Sequence, residues 1–170
     1  MDRERFKRLI SILESSGGKQ LQHKPMSSGI HEGTKAMGEY GLMPNTAQQL
    51  ARSNINKGQG TPLDEVIANI DPSQIEEVLK DNPAKYQEYI DRYADRSLNS
   101  SKNLSEAATR WLAGTNASDA TMDRVQNKNP GRMKKIRQFV DNPKPVPPMT
   151  VEDLLPKEES EVLMSKIRGK

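Results

Sequence analysis

The chain is expected to fold as a mainly α-helical domain, and three observations point there. Phe6, Leu9, Ile10 and Leu13 recur at helical spacing, so residues 3–15 form an amphipathic helix with one buried stripe. Capping residues followed directly by proline open further segments at Thr61-Pro62, Asp71-Pro72 and Asn82-Pro83. A second apolar face, made by Leu104, Ala107, Ala108, Trp111 and Leu112, stops at Gly114, a residue suited to a left-handed helix end.

Taken in order, Asp2 is placed to cap the first helix, because its short acceptor side chain can meet the free N–H groups of the opening turn. Two glycines, Gly17 and Gly18, mark the exit of that helix. From Ser15 to Glu39 the chain is a long polar connection, the kind that is functional or mobile rather than a tight turn. Met26–Ile30 and Lys35–Gly38 are expected to pair there as a small irregular β-hairpin. Thr46 with Gln49 reads as a capping box that starts a helix running to about Asn54. Leu63, Val66, Ile67 and Ile70 then form one stripe, Ile75, Val78 and Leu79 the next, and Tyr86, Tyr89, Ile90 and Tyr93 a third. Ser118 caps a short helix through Val125, and Asn129-Pro130 opens another that runs to Val140 and carries Arg132, Lys134, Lys135 and Arg137.

Residues 1–140 therefore read as one domain, 141–150 as a proline-rich spacer that disfavours helix, and 151–170 as a charged tail or docking helix. The tail is where a partner protein or a virion would dock. Apolar residues make up only 33% of the chain and mean hydropathy is −0.85, so the core depends on apolar side chains being well placed. No run approaches the roughly 20 apolar residues of a membrane span. The first residues pass straight into a charged helix and do not read as a signal peptide. The expectation is a protein made in the cytoplasm and delivered by other means. With no cysteine, disulfides, thiolate zinc sites and thiol nucleophiles are excluded together. The two histidines, His23 and His31, stand in the polar loop without a carboxylate pattern around them, so neither a metal nor a cofactor is expected. A net charge of +3 suits an anionic polymer without demanding one.

Glu14 departs from this plain picture. It follows Ile10 by one turn and adjoins Leu13, so its carboxyl leaves the edge of the buried stripe where the helix ends. A half-dry carboxyl has its charged form disfavoured, and its pKa rises toward values useful to a general acid. A carboxylate at a helix C-terminus is also opposed by the helix dipole, so the position asks for a reason.

Leu13-Glu14-Ser15-Ser16-Gly17-Gly18, followed by Tyr40-Gly41-Leu42-Met43-Pro44-Asn45-Thr46-Ala47, resembles the catalytic core of lytic transglycosylases and goose-type lysozymes. Two departures are evident: Gly17 stands where that family often has an aromatic, and Met43 runs directly into Pro44. The resemblance implies a lysozyme-like fold, bacterial peptidoglycan as substrate, and Glu14 as the catalytic acid. It further implies that Glu39, Tyr40, Gly41, Leu42 and Met43 line the sugar subsites, with Ser27 or Ser28 able to bond the sugar or the carboxylate. In that family a later helix ends in an aromatic and an asparagine; here Trp111 supplies the aromatic, Leu112 replaces the asparagine, and Asn116 is the nearest stand-in. Trp111 is open to either reading, a cleft wall or core packing.

The chemistry remains open in one respect. A lytic transglycosylase works with a single glutamate and leaves a 1,6-anhydro product, whereas an inverting hydrolase places a second carboxylate about 6.5–9.5 Å away to activate water. Glu32 and Glu39 are the candidates for that second role. The one-acid route is preferred. The competing classes are a non-catalytic wall-binding virion protein and an all-helical nucleic-acid binder. The latter rests only on the basic segment around Arg132 and lacks aromatic stacking platforms, so nucleic acid is not an expected partner. Without an export signal, a muralytic chain of this kind suits a phage-type lysin that acts in the periplasm or cell wall, either released or carried in a virion.

Overall fold

The computed structural model describes residues 1–19, 23–25 and 35–142. Within them the protein is mainly helical, with eight α-helices and no strand among the described residues. Among the described residues no helix is long and apolar enough to cross a membrane.

Helix α1 (Arg3–Ser15) is the centre of the core. Asp2 caps it by accepting from the N–H groups of Glu4 and Arg5, and Phe6, Leu9 and Ile10 are completely buried. Its apolar stripe meets α5 (Pro83–Asn99), α6 (Leu104–Ala113) and α8 (Pro130–Asp141). The helix stops because Ser16, Gly17 and Gly18 all take positive φ, which turns the chain away immediately after Glu14 and Ser15.

Helix α2 (Pro44–Asn56) begins earlier than the Thr46–Gln49 pattern suggests. Met43 is its capping position and makes no side-chain cap bond, while Thr46 lies inside the first turn and donates its N–H to the Met43 carbonyl. The physical reason is Pro44, whose missing N–H costs nothing at the first helical position and whose ring already fixes helical φ. Thr61 does cap α3 (Pro62–Asn69), with Asp64 completing a capping box. Asp71 opens a 3-10 turn, Pro72–Gln74, that leads into α4 (Ile75–Lys80). Ser118 caps α7 (Asp119–Lys128).

The expected β-hairpin is not formed by the described residues. Met26–Ile30 lies outside them, and Lys35–Gly38 contributes one isolated antiparallel bridge, Met37 with Leu42, closed by backbone bonds of 2.8 and 3.1 Å. The proline-rich stretch beyond Asn142 and the tail also lie outside the described residues. Trp111 belongs to the core: it is 6% exposed and packs edge-on against Tyr93 at 4.6 Å and Phe6 at 5.9 Å between ring centroids.

A second buried centre joins α2, α3 and α5. Asp64 has no exposed surface and accepts five hydrogen bonds: from the Thr61 N–H and hydroxyl, the Tyr89 hydroxyl, Asn54 Nδ2 and Lys85 Nζ. Burial by itself would raise the Asp64 pKa, but these donors outweigh it and hold the carboxyl well below the usual range. Asp64→Ala is expected to cost about 3–5 kcal/mol in equilibrium unfolding, since five donor groups lose their buried acceptor and Lys85 keeps only the partly exposed Glu88 as its counter-charge. Because the folded pKa is depressed, the stabilisation from Asp64 is fully present above its unfolded pKa of about 3.9 and is lost as pH falls toward the folded value. A loss under about 1 kcal/mol, unchanged between neutral and acid pH, would show that this network contributes little.

Candidate active site

Glu14 sits in the last turn of α1 with its side chain 10% exposed. Two elements close over it. The first is the turn between Met37 and Leu42, where Gly41 has φ +63° and lies against the carboxylate; a Cβ built there would stand 2.8 Å from Glu14 Oε2. Glycine is thus required twice, by the left-handed backbone and by the approach of the acid. The second is α8, whose Arg132 donates Nη1 to Oε1 at 2.9 Å and Nη2 to Oε2 at 3.3 Å. Such a fork grips both carboxylate oxygens in one plane.

These contacts pull the Glu14 pKa in opposite directions. Burial is the larger influence and raises it, while the positive charge of Arg132, a contribution from His23 and the Arg132 hydrogen bonds lower it; the net shift is upward. The result is a carboxyl that is held in position and that keeps its proton to higher pH than a solvated glutamate.

The turn that carries Gly41 is itself anchored. The Tyr86 hydroxyl, from α5, donates to the Met37 carbonyl at 3.0 Å and accepts the Tyr40 N–H at 3.4 Å. Gly38 admits this hydroxyl, since a Cβ at that position would lie 2.6 Å from it. From the other side His23 bonds the Gly38 carbonyl through Nε2 at 2.8 Å, and because a carbonyl only accepts, Nε2 carries the proton. Burial pushes the Tyr86 hydroxyl up, and burial together with the Glu39 charge pushes Tyr40 up to about 12, so both hydroxyls stay protonated at neutral pH.

Glu39 is on the same turn. Its carboxylate accepts from Ser11 Oγ, and Ser11 stands one turn before Glu14 on α1. Side chains three residues apart on a helix are neighbours, with Cβ atoms about 5–6 Å apart. Gly18 lies beside the same carboxyl, its would-be Cβ 3.6 Å from Glu39 Cδ. The end of α1 thus presents one carboxyl directly, through Glu14, and tethers a second through Ser11.

The other sequence-predicted residues are distributed unevenly. Tyr40 is half-buried beside the core, and Met43 is half-buried at the head of α2. Leu42 is 1% exposed, so its side chain is core and only its backbone, through the Met37 bridge, shapes the turn. Trp111, offered above as a cleft wall, is core for the reason already given. Asn116 is exposed in the connection between α6 and α7 and makes no hydrogen bond to the described residues. Ser27, Ser28, His31 and Glu32 lie outside the described residues. Among the described residues no group of three His, Asp or Glu side chains comes together to hold a metal ion.

No protein-family model, curated protein or solved structure significantly matches this chain.

Sequence reasoning missed four contributors: Arg132, Ser11, His23 and Tyr86. Arg132 reads as part of a solvated basic face, yet it reaches Glu14 across 118 positions of sequence. One local signal exists. Arg132 precedes the buried Ile136 by four residues and so shares the inward side of α8, whereas Lys134 and Lys135 are exposed.

The opposed influences on Glu14 make a signed prediction. Arg132→Ala leaves Glu14 buried without its counter-charge, a cost that is present only when Glu14 is ionised. The raised folded pKa means that the stability contributed by Glu14 is complete below its unfolded pKa of about 4.3 and is lost as pH rises through the folded value. The destabilisation by Arg132→Ala is expected to be small near pH 4 and to grow toward pH 8, read from chemical unfolding at each pH. Equal losses at both pH values would mean that Arg132 acts by packing alone.

Proposed function

We propose that the protein cleaves the MurNAc-GlcNAc glycosidic bond of bacterial peptidoglycan with Glu14 as its general acid and base, on a lysozyme-like helical scaffold. The observation that carries this reading is the contact between the buried Glu14 carboxyl and Gly41. It brings the helix-terminal acid against the Gly-Leu-Met turn that follows it by a long loop. The two halves of the sequence resemblance, separated in the chain, are neighbours in space.

The reaction follows from one carboxyl. Protonated Glu14 gives its proton to the leaving glycosidic oxygen as the bond to the sugar C1 breaks and the ring takes oxocarbenium character. The carboxylate so formed is received by the Arg132 fork, which favours the charged state at that moment. Glu14 then takes the proton of the muramyl 6-hydroxyl as its oxygen closes on C1, giving the 1,6-anhydro end and restoring the acid. Burial favours the protonated state and Arg132 the charged state, so a single residue is suited to both half-reactions.

Glu39 supports a second reading, hydrolysis. Its tether to Ser11, one turn from Glu14 on α1, supports this reading, in which Glu39 activates a water in place of the 6-hydroxyl. On either reading the protein acts in the periplasm or cell wall, delivered as a phage-type lysin or in a virion, with residues 151–170 as the docking tail.

Glu14→Gln keeps the shape of the side chain and removes the transferable proton. Clearing of purified peptidoglycan is expected to fall by about 10²–10⁴-fold while sedimentation with the wall is retained. Mass spectrometry of the wild-type digest is expected to find anhydro ends, lighter by one water than reducing ends; reducing ends abolished by Glu39→Gln would select hydrolysis instead. Undiminished clearing by Glu14→Gln would remove the assignment of Glu14.

A further inference from the structure

The turn from Met37 to Leu42 meets two helices at its two glycines. At Gly41 (φ +63°) the Glu14 carboxyl of α1 comes so close that a Cβ would stand 2.8 Å from Oε2. At Gly38 (φ +62°) the Tyr86 hydroxyl of α5 does the same at 2.6 Å, with ring carbon Cζ at 2.9 Å. At both points a polar group arriving from a helix shuts out any side chain. The two contacts are linked by a turn that the Met37–Leu42 bridge and a 3.3 Å bond from the Gly41 N–H to the Gly38 carbonyl close on itself. With only two soft dihedrals per residue, so short a closed segment passes a displacement at one glycine to the other.

Tyr86 acts from a fixed element. Lys85, just before it in α5, bonds Asp64 Oδ2 through Nζ at 3.0 Å, and Tyr89, just after it, bonds Asp64 Oδ1 through its hydroxyl at 2.7 Å. Lys85 and Tyr89 are one turn apart, so the buried Asp64 grips one face of the helix, and Tyr86 leaves it about 100° further round from Lys85. Its hydroxyl then spans the turn, donating to the Met37 carbonyl at 3.0 Å and accepting the Tyr40 N–H at 3.4 Å. Those bonds are to the backbone of the turn. They bring no charge to the site, since burial keeps the hydroxyl protonated.

We infer that Tyr86 is the positioning residue of the Glu14 site: its hydroxyl carries the fixed position of α5 into the turn and keeps Gly41 seated on the carboxyl. The Gly41 backbone takes the place of water beside Oε2, so a seated turn strengthens the hold of Glu14 on its proton. The charged groups about the site are Arg132 of α8, His23 beside the turn, and Glu39, tethered to Ser11. Replacing Tyr86 removes none of them. A change in the titration of Glu14 in such a variant therefore reports position rather than charge.

Tyr86→Phe removes one oxygen and keeps the ring. In the full chain, with the Glu14 carboxyl carbon followed by NMR, the proton affinity of Glu14 is expected to fall roughly threefold or more as the carboxyl regains water. Tyr93→Phe is the control. It takes the same atom from the same helix, where the hydroxyl meets the Thr115 backbone, and is expected to leave the Glu14 midpoint in place. An unmoved midpoint in folded Tyr86→Phe, or an equal fall in Tyr93→Phe, overturns the assignment. The wild-type protein gives a second reading that needs no variant: the Tyr40 amide is expected to exchange with solvent about tenfold or more slowly than in an unstructured peptide, and exchange at the unprotected rate overturns the assignment as well. The catalytic consequence rests on the muralytic reading above. An acid that must start protonated is lost as pH rises through its midpoint, so in Tyr86→Phe the alkaline limb of kcat/KM on purified peptidoglycan is expected to move to lower pH by the same factor. A fallen Glu14 midpoint in a chain that leaves the wall intact would remove the muralytic reading alone, and wall cleavage with an unmoved midpoint would remove this inference alone.

Discussion

The grip of Arg132 on Glu14 is the constraint through which the rest of the site has to be understood. It fastens the last turn of the first helix to the last described helix, and it puts a full positive charge beside a carboxyl that burial would otherwise keep neutral. Neither influence alone would suit proton transfer in both directions. Burial without the arginine makes a proton donor that resists ionising, whereas the arginine without burial makes a permanent carboxylate. The fork fixes the carboxyl, and the turn comes so close to the same Oε2 that only glycine fits at position 41.

The comparison with Asp64 shows what burial does when donors are plentiful. Both carboxyls are largely withdrawn from water, yet Asp64 accepts five hydrogen bonds from four residues and is driven far toward the charged form. Among the described residues Glu14 has one hydrogen-bond partner, Arg132, and its pKa moves the other way. A carboxylate surrounded by satisfied donors has no lone pair to spare and acts as a fastener. One held by a single guanidinium keeps more of its capacity to exchange a proton. Partner number, rather than burial, accounts for the opposite pKa shifts of Asp64 and Glu14.

Much of the fold was legible because its signals are local. The Arg3–Ser15 helix, its Asp2 cap, the Thr61-Pro62 start and the Gly114 stop depend on residues within one turn of each other. Where two local signals compete, the reading fails: Thr46 has the side chain of a cap, but Pro44 two residues earlier has the stronger claim on the helix start. Of the site, Glu14 and Gly41 could be singled out from the sequence, while Arg132, Ser11, His23 and Tyr86 could not. Each of those four acts across the fold, and nothing near it in the chain declares the partner. Trp111 shows an ambiguity that local signals leave open, since an aromatic on a helix face is equally at home in a cleft and in a core, and here Phe6 and Tyr93 claim it.

The central claim is that Glu14 is poised between burial and Arg132 with the balance tipped toward holding its proton. Titration of the Glu14 side-chain carboxyl carbon by NMR, assigned through its absence in Glu14→Gln, measures that balance without any substrate. The account predicts one midpoint above that of an ordinary glutamate, and a further rise when Arg132 is replaced by Gln. A midpoint at or below the ordinary value would mean that the arginine prevails and the carboxyl is a permanent anion, which contradicts its assignment as the acid.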